Sequence, residues 1–569
     1  MPTPLPYADA GLTDREAAAF ALDRLAFGPT PEALRGALRV GVDAWVEGQI
    51  SAREPDREVE RRVARLGDMD RPLAELAASY RTPTADEQAA FERDYDGELP
   101  PYRSRPYRDA LEAYWRERGV HPFRELTAKL TEAKILRAAF SQNQLREVLA
   151  DFWYNHFNVS ARAQAVHRAF AYDRDAIRPH VLGRFRTLLG ATARHPAMLV
   201  YLDNRRSRAA EGVRTPVGRS APGGGINENY GRELLELHTL GVDGGYTQAD
   251  VEATARAFTG WAVYPYDRPG RQRRWDPVLR REPGALRVGE FFFRPSWHDA
   301  EPKRVLGRAL PAGRGIEDGE DVLDLVAAHP STARHVSRKL AIRFVADDPP
   351  EALVDALAQT FTRTRGDIRE VMRALVRRRE FWEAATGADG QPTKVKTPFE
   401  LAVSAVRATG AEITSTRRLT RELAAMGEPV YQREPPTGFP DHAAAWINPG
   451  LLLTRMRFGL RLAAGRVPGI EPDLGSLASG AAPATAPEAL GVYGEALLPG
   501  RDLGPTADVM EEMVLAQDVA ARVESAADEA AGASGAARPR PRPRQTSRRG
   551  YTPATVVGIL LGSPAFQRQ

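Results

Sequence analysis

The chain has 569 residues, of which 43% are hydrophobic and 27% are charged, a composition typical of water-soluble globular proteins. Lys and Arg number 79 against 75 Asp and Glu, so the net charge is only +4 and the high isoelectric point overstates how basic the chain is. It contains no cysteine, which excludes disulfides, thiolate catalysis, iron–sulfur clusters and cysteine-ligated zinc.

The beginning of the chain gives a prediction about its location. Residues 1–28 lack the basic stretch and apolar core of a secretion signal. No later segment reaches the apolar length of a membrane span. We therefore expect a cytoplasmic protein without a transmembrane segment, or an exported one if the start of the chain has been trimmed.

Hydrophobic spacing predicts a mainly α protein, a multihelical globular array with a small β-hairpin insertion. We divide the chain into an N-terminal helical region (1–122), a central helical core that carries the motifs described below (123–465), a linker (466–490) and C-terminal helices (491–569). The last part is interrupted by an Arg/Pro-rich segment over 525–550, whose composition predicts disorder.

The first group of candidate site residues lies in the stretch WYNHFNV, at Trp153–Val159. Apolar residues at helical spacing predict a helix here, with His156 on its apolar face. A buried neutral imidazole can bind a metal or carry a proton, and Trp153 and Asn155 beside it can contact a substrate. The alternative is a structural histidine whose nitrogens bond the backbone or Asn155.

The second group lies between Asn227 and Trp261, where we predict a helix over about 228–240 that ends at Gly241. At 100° per residue, Glu233 and Glu236 lie about 60° apart and share a face, whereas His238 lies about 140° and 160° from them. We predict all three as catalytic candidates: either the two carboxylates face a pocket, or His238 does. The alternative is a solvated ladder of Glu228, Arg232 and Glu236.

The next helix is predicted over 251–258, with a capping box formed by Thr247 and Asp250 and an end at Gly260. Arg256 on this helix, with Trp261 after it, is a candidate for substrate binding or for a structural ion pair. Lys394 and Lys396 in the KVKTP stretch carry the same two interpretations.

A strand is predicted at Val288–Phe293, paired in a hairpin with the segment around 304–310. His298 and Asp299 follow it in a loop, where ligands are often presented from a rigid base. Together with His156, and with Glu233 or Glu236, they would make a mixed nitrogen and oxygen shell for a divalent transition metal such as Zn, Fe or Mn. The alternative is a turn in which Asp299 bonds its own loop and His298 packs beside Trp297.

Further helices are predicted at 321–328, 332–345, 350–362 and 368–378. The arginines of the 525–550 segment could bind nucleic acid, but no aromatic residue lies between them to stack on a base. We therefore expect a solubilising connector there and no nucleic-acid partner.

These blocks, in this order, resemble the bacterial domain of unknown function 1800 family nearly end to end. The likeness rests on WYNHFNV, the Asn227–Trp261 stretch and SWHD (Ser296–Asp299), together with LAFGPT (Leu25–Thr30), RGDI (Arg365–Ile368), the KTP of Lys396–Pro398, PTGFP (Pro436–Pro440) and the closing GSPAFQRQ (Gly562–Gln569). Gly231 departs from the alanine usual in the family, and Gly223–Gly225 reads as a local insertion. The resemblance implies a family but no reaction.

Two functional hypotheses follow. The first is an enzyme whose His and carboxylate pocket hydrolyses or oxidises a polar substrate, a small molecule or a polymer, with a carboxylate or a metal-bound water as the base. The second is a non-catalytic helical binding or scaffold protein with a protein partner. The sequence has no GxSxG elbow and no phosphate-loop motif. The lack of a recognised nucleophile motif favours the scaffold hypothesis, whereas polar residues held together across turns favour the enzyme.

Overall fold

Helices carry most of the regular structure in the computed structural model of this chain, which confirms the predicted mainly α class. The structure describes residues 4–162, 165–266, 269–387, 390–478, 480–481, 483–501, 503–516, 519–530 and 551–569. Over these ranges, every helix is too short or too polar to cross a membrane.

Residues 14–117 form a series of seven short helices, of which α1, α2, α6 and α7 have starts that are capped by side chains. Thr13 and Glu16 make one capping box, and Thr84 and Glu87 make another, so the first free backbone N–H groups find acceptors. The helices are α1 (Asp14–Leu25), α2 (Pro31–Val40), α3 (Val42–Ser51), α4 (Arg57–Ala64), α5 (Leu73–Ser79), α6 (Ala85–Asp94) and α7 (Arg105–Glu117).

The middle of the chain contains the helices that carry most of the sequence motifs. The predicted capping box of Thr247 and Asp250 is confirmed, and the four helices predicted between 321 and 378 are present within a few residues of their predicted bounds. Residues 123–257 form α8 (Phe123–Phe140), α9 (Gln144–His156), α10 (Val166–Tyr172), α11 (Phe185–Arg194), α12 (Pro196–Tyr201), α13 (Asn229–Glu233) and α14 (Gln248–Ala257). Residues 269–463 form α15 (Pro269–Arg281), α16 (Glu317–Ala327), α17 (Pro330–Phe344), α18 (Glu351–Thr364), α19 (Ile368–Val376), α20 (Arg379–Glu383), α21 (Pro398–Ala408), α22 (Arg417–Ala425) and α23 (Pro449–Ala463).

The helix predicted over 228–240 changes character halfway. It is α-helical through α13 and then becomes a π-helix at Leu234–Thr239. A π-helix closes i→i+5 hydrogen bonds, so the angular count of 100° per residue holds for Glu233 but not for Glu236 and His238. π-Helical turns are rare and occur frequently at functional sites.

The strands are short and form three small sheets: β1 (Trp261–Val263), β2 (Leu286–Val288), β3 (Phe291–Phe293), β4 (Lys303–Val305), β5 (Arg308–Leu310), β6 (Glu412–Ile413) and β7 (Ile470–Glu471). The predicted single strand over 288–293 is wrong, because Gly289 adopts a φ of +57° and the chain reverses there. Strand β3 pairs with β1 and β2, with Trp261 opposite Phe293 and Val288 opposite Phe291. Segment 304–310 forms its own hairpin of β4 and β5.

The last part of the chain contains α24 (Leu474–Leu477), α25 (Ala486–Leu497), α26 (Gly504–Leu515), α27 (Val519–Ala530), α28 (Pro553–Gly562) and α29 (Pro564–Gln567). Within residues 466–490, Ile470 and Leu477 are buried and lie in β7 and α24. Residues 525–530 complete α27. The remainder of the predicted disordered segment, 531–550, lies outside the described residues.

One apolar core runs through the molecule and joins segments far apart in the chain, from α1 to α28. Residues 567–569 lie against the KVKTP stretch, which precedes α21. The Lys396 N–H donates to the Gln567 carbonyl oxygen at 2.8 Å, and the Gln569 N–H donates to the Lys394 carbonyl oxygen at 2.9 Å. The two stretches are therefore joined like neighbouring strands, through the bridge between Val395 and Arg568.

Candidate functional site

Three of the sequence motifs meet at a cavity of about 60 Å³, which we call the motif cavity. WYNHFNV lines it from the end of α9, KVKTP from the start of α21, and PTGFP from the loop before α23. The lining residues from these motifs are Tyr154, Asn155, Asn158, Lys394, Val395, Thr397, Phe439 and Pro440. The convergence makes this cavity the strongest candidate site in the described part of the chain.

The two asparagines of WYNHFNV fix the PTGFP loop in place. The Asn155 amide donates to the Phe439 carbonyl oxygen at 2.9 Å and accepts the Phe439 N–H at 2.7 Å. Asn158 donates to the carbonyl oxygens of Arg433 and Pro435 at 3.0 and 2.8 Å. Asn155, which we predicted to bind substrate, therefore lines the cavity with its amide already engaged, as a group that positions the loop.

Charged side chains form the polar part of the cavity wall. Lys134 on α8 pairs with Asp151 on α9, and Arg343 on α17 pairs with Glu400 on α21. Lys134 also lies 4.6 and 4.8 Å above the rings of Phe399 and Tyr431, a cation–π arrangement that strengthens where water is excluded. The cations are thus held by partners on separate helices.

Glu428, which lies after α22, is the unusual acid of this cavity. It is 7% exposed, and its Oε2 accepts the Phe399 N–H at 2.8 Å. Burial, followed by the negative charge of Asp151, raises the pKa of Glu428 to about 8. At neutral pH the group is a carboxylic acid with a proton to give, close to the pKa at which proton transfer in both directions is efficient.

The backbone beside Glu428 is strained. Tyr431 has a φ of +62°, in the left-handed region that bulky residues rarely adopt. Its ring packs against Tyr154 at 4.6 Å between centroids, and its carbonyl oxygen accepts the Ala161 N–H at 2.7 Å. Such positions cost on the order of 1–3 kcal/mol and cluster at functional sites.

Comparison with known proteins identifies the family. Residues 20–568 match the family model described as a protein of unknown function, DUF1800. The chain belongs to the DUF1800 family. No curated protein and no solved structure matches it, so the role of the DUF1800 site has to be argued from its own residues.

In this DUF1800 chain, the predicted catalytic pair Glu233 and Glu236 lies where α13 passes into the π-helix. Both carboxylates are half-buried. Burial and then the charge of Glu236 raise the pKa of Glu233, and the Tyr246 hydroxyl donates to Glu236 at 3.3 Å. In the alternative ladder of Glu228, Arg232 and Glu236, Arg232 forms an ion pair with Glu228 at 3.4 Å. Glu233 and Glu236 do not line the motif cavity. Glu233 lies near Tyr201, whose hydroxyl donates a hydrogen bond to the Glu434 carbonyl oxygen in the 433–440 loop.

His156 and His238 lie together with a third residue, His335 on α17, in what we call the histidine cluster. The His156 ring centroid lies 6.3 Å from that of His238 and 6.1 Å from that of His335. The His156 Nε2 donates to the His238 carbonyl oxygen at 3.1 Å. Burial is the main cause that lowers all three pKa values, to about 3 for His238 and about 4 for His335, so the three rings are neutral at pH 7.

His298 and Asp299 belong to a different group, the Asp318 cluster, which consists of His298, Asp299, Lys303, Arg314 and Asp318. The His298 Nδ1 donates to the Thr259 carbonyl oxygen at 2.8 Å. Lys303 Nζ and Arg314 Nε lie 2.7 and 2.9 Å from the Asp318 carboxylate oxygens. The cluster is closed by these mutual contacts.

Arg256, which we predicted to bind substrate, is bound to Asp299 of the Asp318 cluster. Its Nε and Nη2 reach the two Asp299 oxygens at 2.7 and 3.1 Å, a bidentate geometry. No contact joins His298 or Asp299 to the histidine cluster. Over the residues that the structure describes, no three His, Asp or Glu side chains are grouped so as to hold one metal ion.

The two tryptophans predicted to contact substrate are fully buried. The Trp153 Nε1 donates to the Val181 carbonyl oxygen at 3.0 Å. Trp261 packs against Gly319 of α16, where an added Cβ would lie 2.6 Å from its Cζ2. In this position each indole serves as packing for the helices around it.

The close approach of Gly319 to Trp261 gives a stability prediction. Gly319→Ala is expected to lower the free energy of unfolding by about 1–3 kcal/mol, because the indole is enclosed and cannot move aside. The matched control is Gly491→Ala in α25, which has open space and an ordinary backbone, and it is expected to raise stability by about 0.5–1 kcal/mol. Urea unfolding of both variants measures this. Equal values for the two would contradict the packing argument.

Three residues of the cavity wall were not predicted from the sequence: Glu428, Arg343 and Lys134. They lie outside WYNHFNV, KVKTP and PTGFP, and each becomes distinctive only through burial against segments far away in the chain. The available signal was the position of Glu428, eight residues before PTGFP. Lys394 was considered, and it fits the structural interpretation through its ion pair with Asp347 while also lining the cavity.

Proposed function

We propose that this protein is an enzyme that carries out acid–base chemistry on a small polar substrate in the motif cavity, with Glu428 as the proton carrier. One observation supports the proposal above the others. A buried carboxylic acid with a pKa of about 8 stands in the partly charged wall of a cavity at which three family motifs meet. Perturbed acids in clefts are characteristic of active sites.

The chemistry follows from the protonation state of Glu428. In its neutral form the side chain donates a proton to a leaving group, and as a carboxylate it accepts one from water or from a substrate hydroxyl. Glu428 suits hydrolysis, because a group that can both give and accept a proton assists the attack of water and the departure of the leaving group. Lys134 and Arg343, held by their ion pairs, would stabilise negative charge that develops on the substrate.

Glu233 is the second candidate proton carrier. Its pKa is raised by burial and by Glu236, and it is the last residue of α13, directly before the π-helical stretch of the central motif. Its position near Tyr201, at the 433–440 loop, places it outside the cavity wall. A role for Glu233 would therefore move the reaction to the outer side of that loop.

The test is turnover of a defined mixture of small polar esters, amides and hydroxy acids, followed by mass spectrometry. We expect the wild-type protein to convert at least one component, and Glu428→Gln to lower that rate by about 10²–10⁴-fold. The matched control is Glu412→Gln, at an exposed glutamate on β6, which should leave the rate unchanged.

Other outcomes contradict the proposal. A rate lost in Glu233→Gln but kept in Glu428→Gln would assign the chemistry to Glu233. If no component is converted, the scaffold hypothesis is favoured, and the closed Asp318 cluster is the observation that supports it, since its charged residues serve the packing of α14, α16 and the β4–β5 hairpin.

A further inference from the structure

We infer that the substrate of the motif cavity carries a single carboxylate group, which Arg343 and Lys394 bind. This inference rests on the proposed function and names the substrate class for the same cavity. It depends on three observations: buried guanidinium N–H groups without acceptors, buried cations without carboxylate partners, and the size and charge of the cavity.

The first observation concerns Arg343. Its side chain is 12% exposed and lines the cavity. Its Nη2 forms the ion pair with Glu400, whereas its Nη1 is buried and has no hydrogen-bond acceptor among the described residues. A guanidinium carries five N–H donors, and a buried donor without an acceptor costs about 1–3 kcal/mol. An acceptor in the cavity would satisfy these donors.

The second observation concerns the cations behind Arg343. Arg24 on α1 is fully buried, and no carboxylate among the described residues comes within ion-pair distance of it. Burial and then the charge of Arg343 lower the pKa of Arg24 to about 9. Arg455 on α23 is buried too, and among the described residues its guanidinium donates to the carbonyl oxygens of Trp446 and Lys396. The charge of Glu400 acts on both arginines without pairing with either of them. Buried cations that are compensated only in part favour a further anion nearby.

The third observation fixes the kind of anion. By the same volume measure one water molecule needs about 10–15 Å³, so 60 Å³ holds about four to six non-hydrogen atoms. Asp151, Glu400 and Asp441 line the cavity beside its cations, and they would repel a doubly charged ion. A guanidinium matches a carboxylate in a planar, two-point arrangement. The observations therefore favour a small monocarboxylate over phosphate.

The experiment measures binding of acetate, glycolate and inorganic phosphate to the full chain by isothermal titration calorimetry at pH 7. We expect saturable binding of acetate or glycolate, with phosphate at least tenfold weaker. Arg343→Lys keeps a positive charge for Glu400 but removes the planar fork, so it should weaken carboxylate binding at least tenfold. The matched control is Arg338→Lys on the same helix α17, where the arginine pairs with the exposed Glu351.

Each contrary result is decisive. Absence of saturable carboxylate binding to the wild-type protein, tighter binding of phosphate, or equal affinity in Arg343→Lys and Arg338→Lys overturns the inference. Should Arg343→Lys not fold, Lys394→Gln takes its place with the same expected loss. Turnover that depends on Glu428 but is not inhibited by acetate or glycolate also overturns the inference while leaving the proposed function standing. Carboxylate binding lost in Arg343→Lys supports it, even where Glu428→Gln leaves turnover unchanged.

Discussion

Asp318→Asn is expected to lower the free energy of unfolding by about 3–5 kcal/mol. The carboxylate is fully buried, accepts a hydrogen bond from Lys303 Nζ at 2.7 Å and lies in an ion pair with Arg314 Nε at 2.9 Å. Although burial raises its pKa, the hydrogen bonds from His298 and Lys303 outweigh burial and lower it, so the side chain is ionised at neutral pH. Replacing it by an amide leaves the buried Lys303 ammonium with only Asp299, 4.0 Å away, as a counter-charge.

Urea unfolding at pH 7 measures this loss, and Asp321→Asn is the matched control. Asp321 pairs with Arg314 at 2.7 Å, but its side chain is 27% exposed, so water takes over its role and the expected loss is below about 1 kcal/mol. If the two aspartates prove equivalent, the Asp318 cluster does not hold this part of the molecule together.

The stability of the wild-type protein is expected to fall relative to Glu428→Gln as the pH rises. The folded-state pKa of Glu428 is about 8, against an ordinary value of 4.5. Its contribution to stability is therefore fully present below pH 4.5 and is lost between pH 4.5 and pH 8, because unfolding releases the proton. At 1.36 kcal/mol per pKa unit, the loss amounts to about 4–5 kcal/mol.

The measurement is the difference in unfolding free energy between wild type and Glu428→Gln at pH 5, 6, 7 and 8.5, since all other titrating groups cancel in that difference. Glutamine still accepts the Phe399 N–H, so the variant should gain on the wild type steadily across this range. Glu412→Gln, at an exposed site, should show a constant difference. A constant difference for Glu428→Gln as well would mean that Glu428 ionises normally in the folded protein, and it would remove the main support for the acid–base proposal.

Local sequence signals predicted the helices well where the chain itself determines them. The capping box of Thr247 and Asp250 and the four helices after residue 320 are set by residues within one or two turns. The predictions failed where a single backbone feature determines the local structure. Gly289 reverses the chain and divides one predicted strand into two, and the π-helical turn at Leu234–Thr239 changes the faces of Glu236 and His238.

The candidate site was predictable only in part. Its motifs stand out in the sequence, and WYNHFNV, KVKTP and PTGFP do line the motif cavity. The chemistry was sought instead in the central motif, because Glu233, Glu236 and His238 are adjacent in sequence. The acidity of Glu428 depends on burial and on Asp151, almost three hundred residues earlier in the chain, and no local pattern encodes such a contact.

The pairing of residues 567–569 with the KVKTP stretch has a consequence for how the protein is made. A ribosome delivers the chain from its beginning, and segments that are complete can fold as they emerge. The wall of the motif cavity at Val395 and Glu400 is held by Arg568 and Gln569, which are synthesised after both of the other motifs. The nascent chain therefore carries WYNHFNV and PTGFP long before it can close the cavity around them.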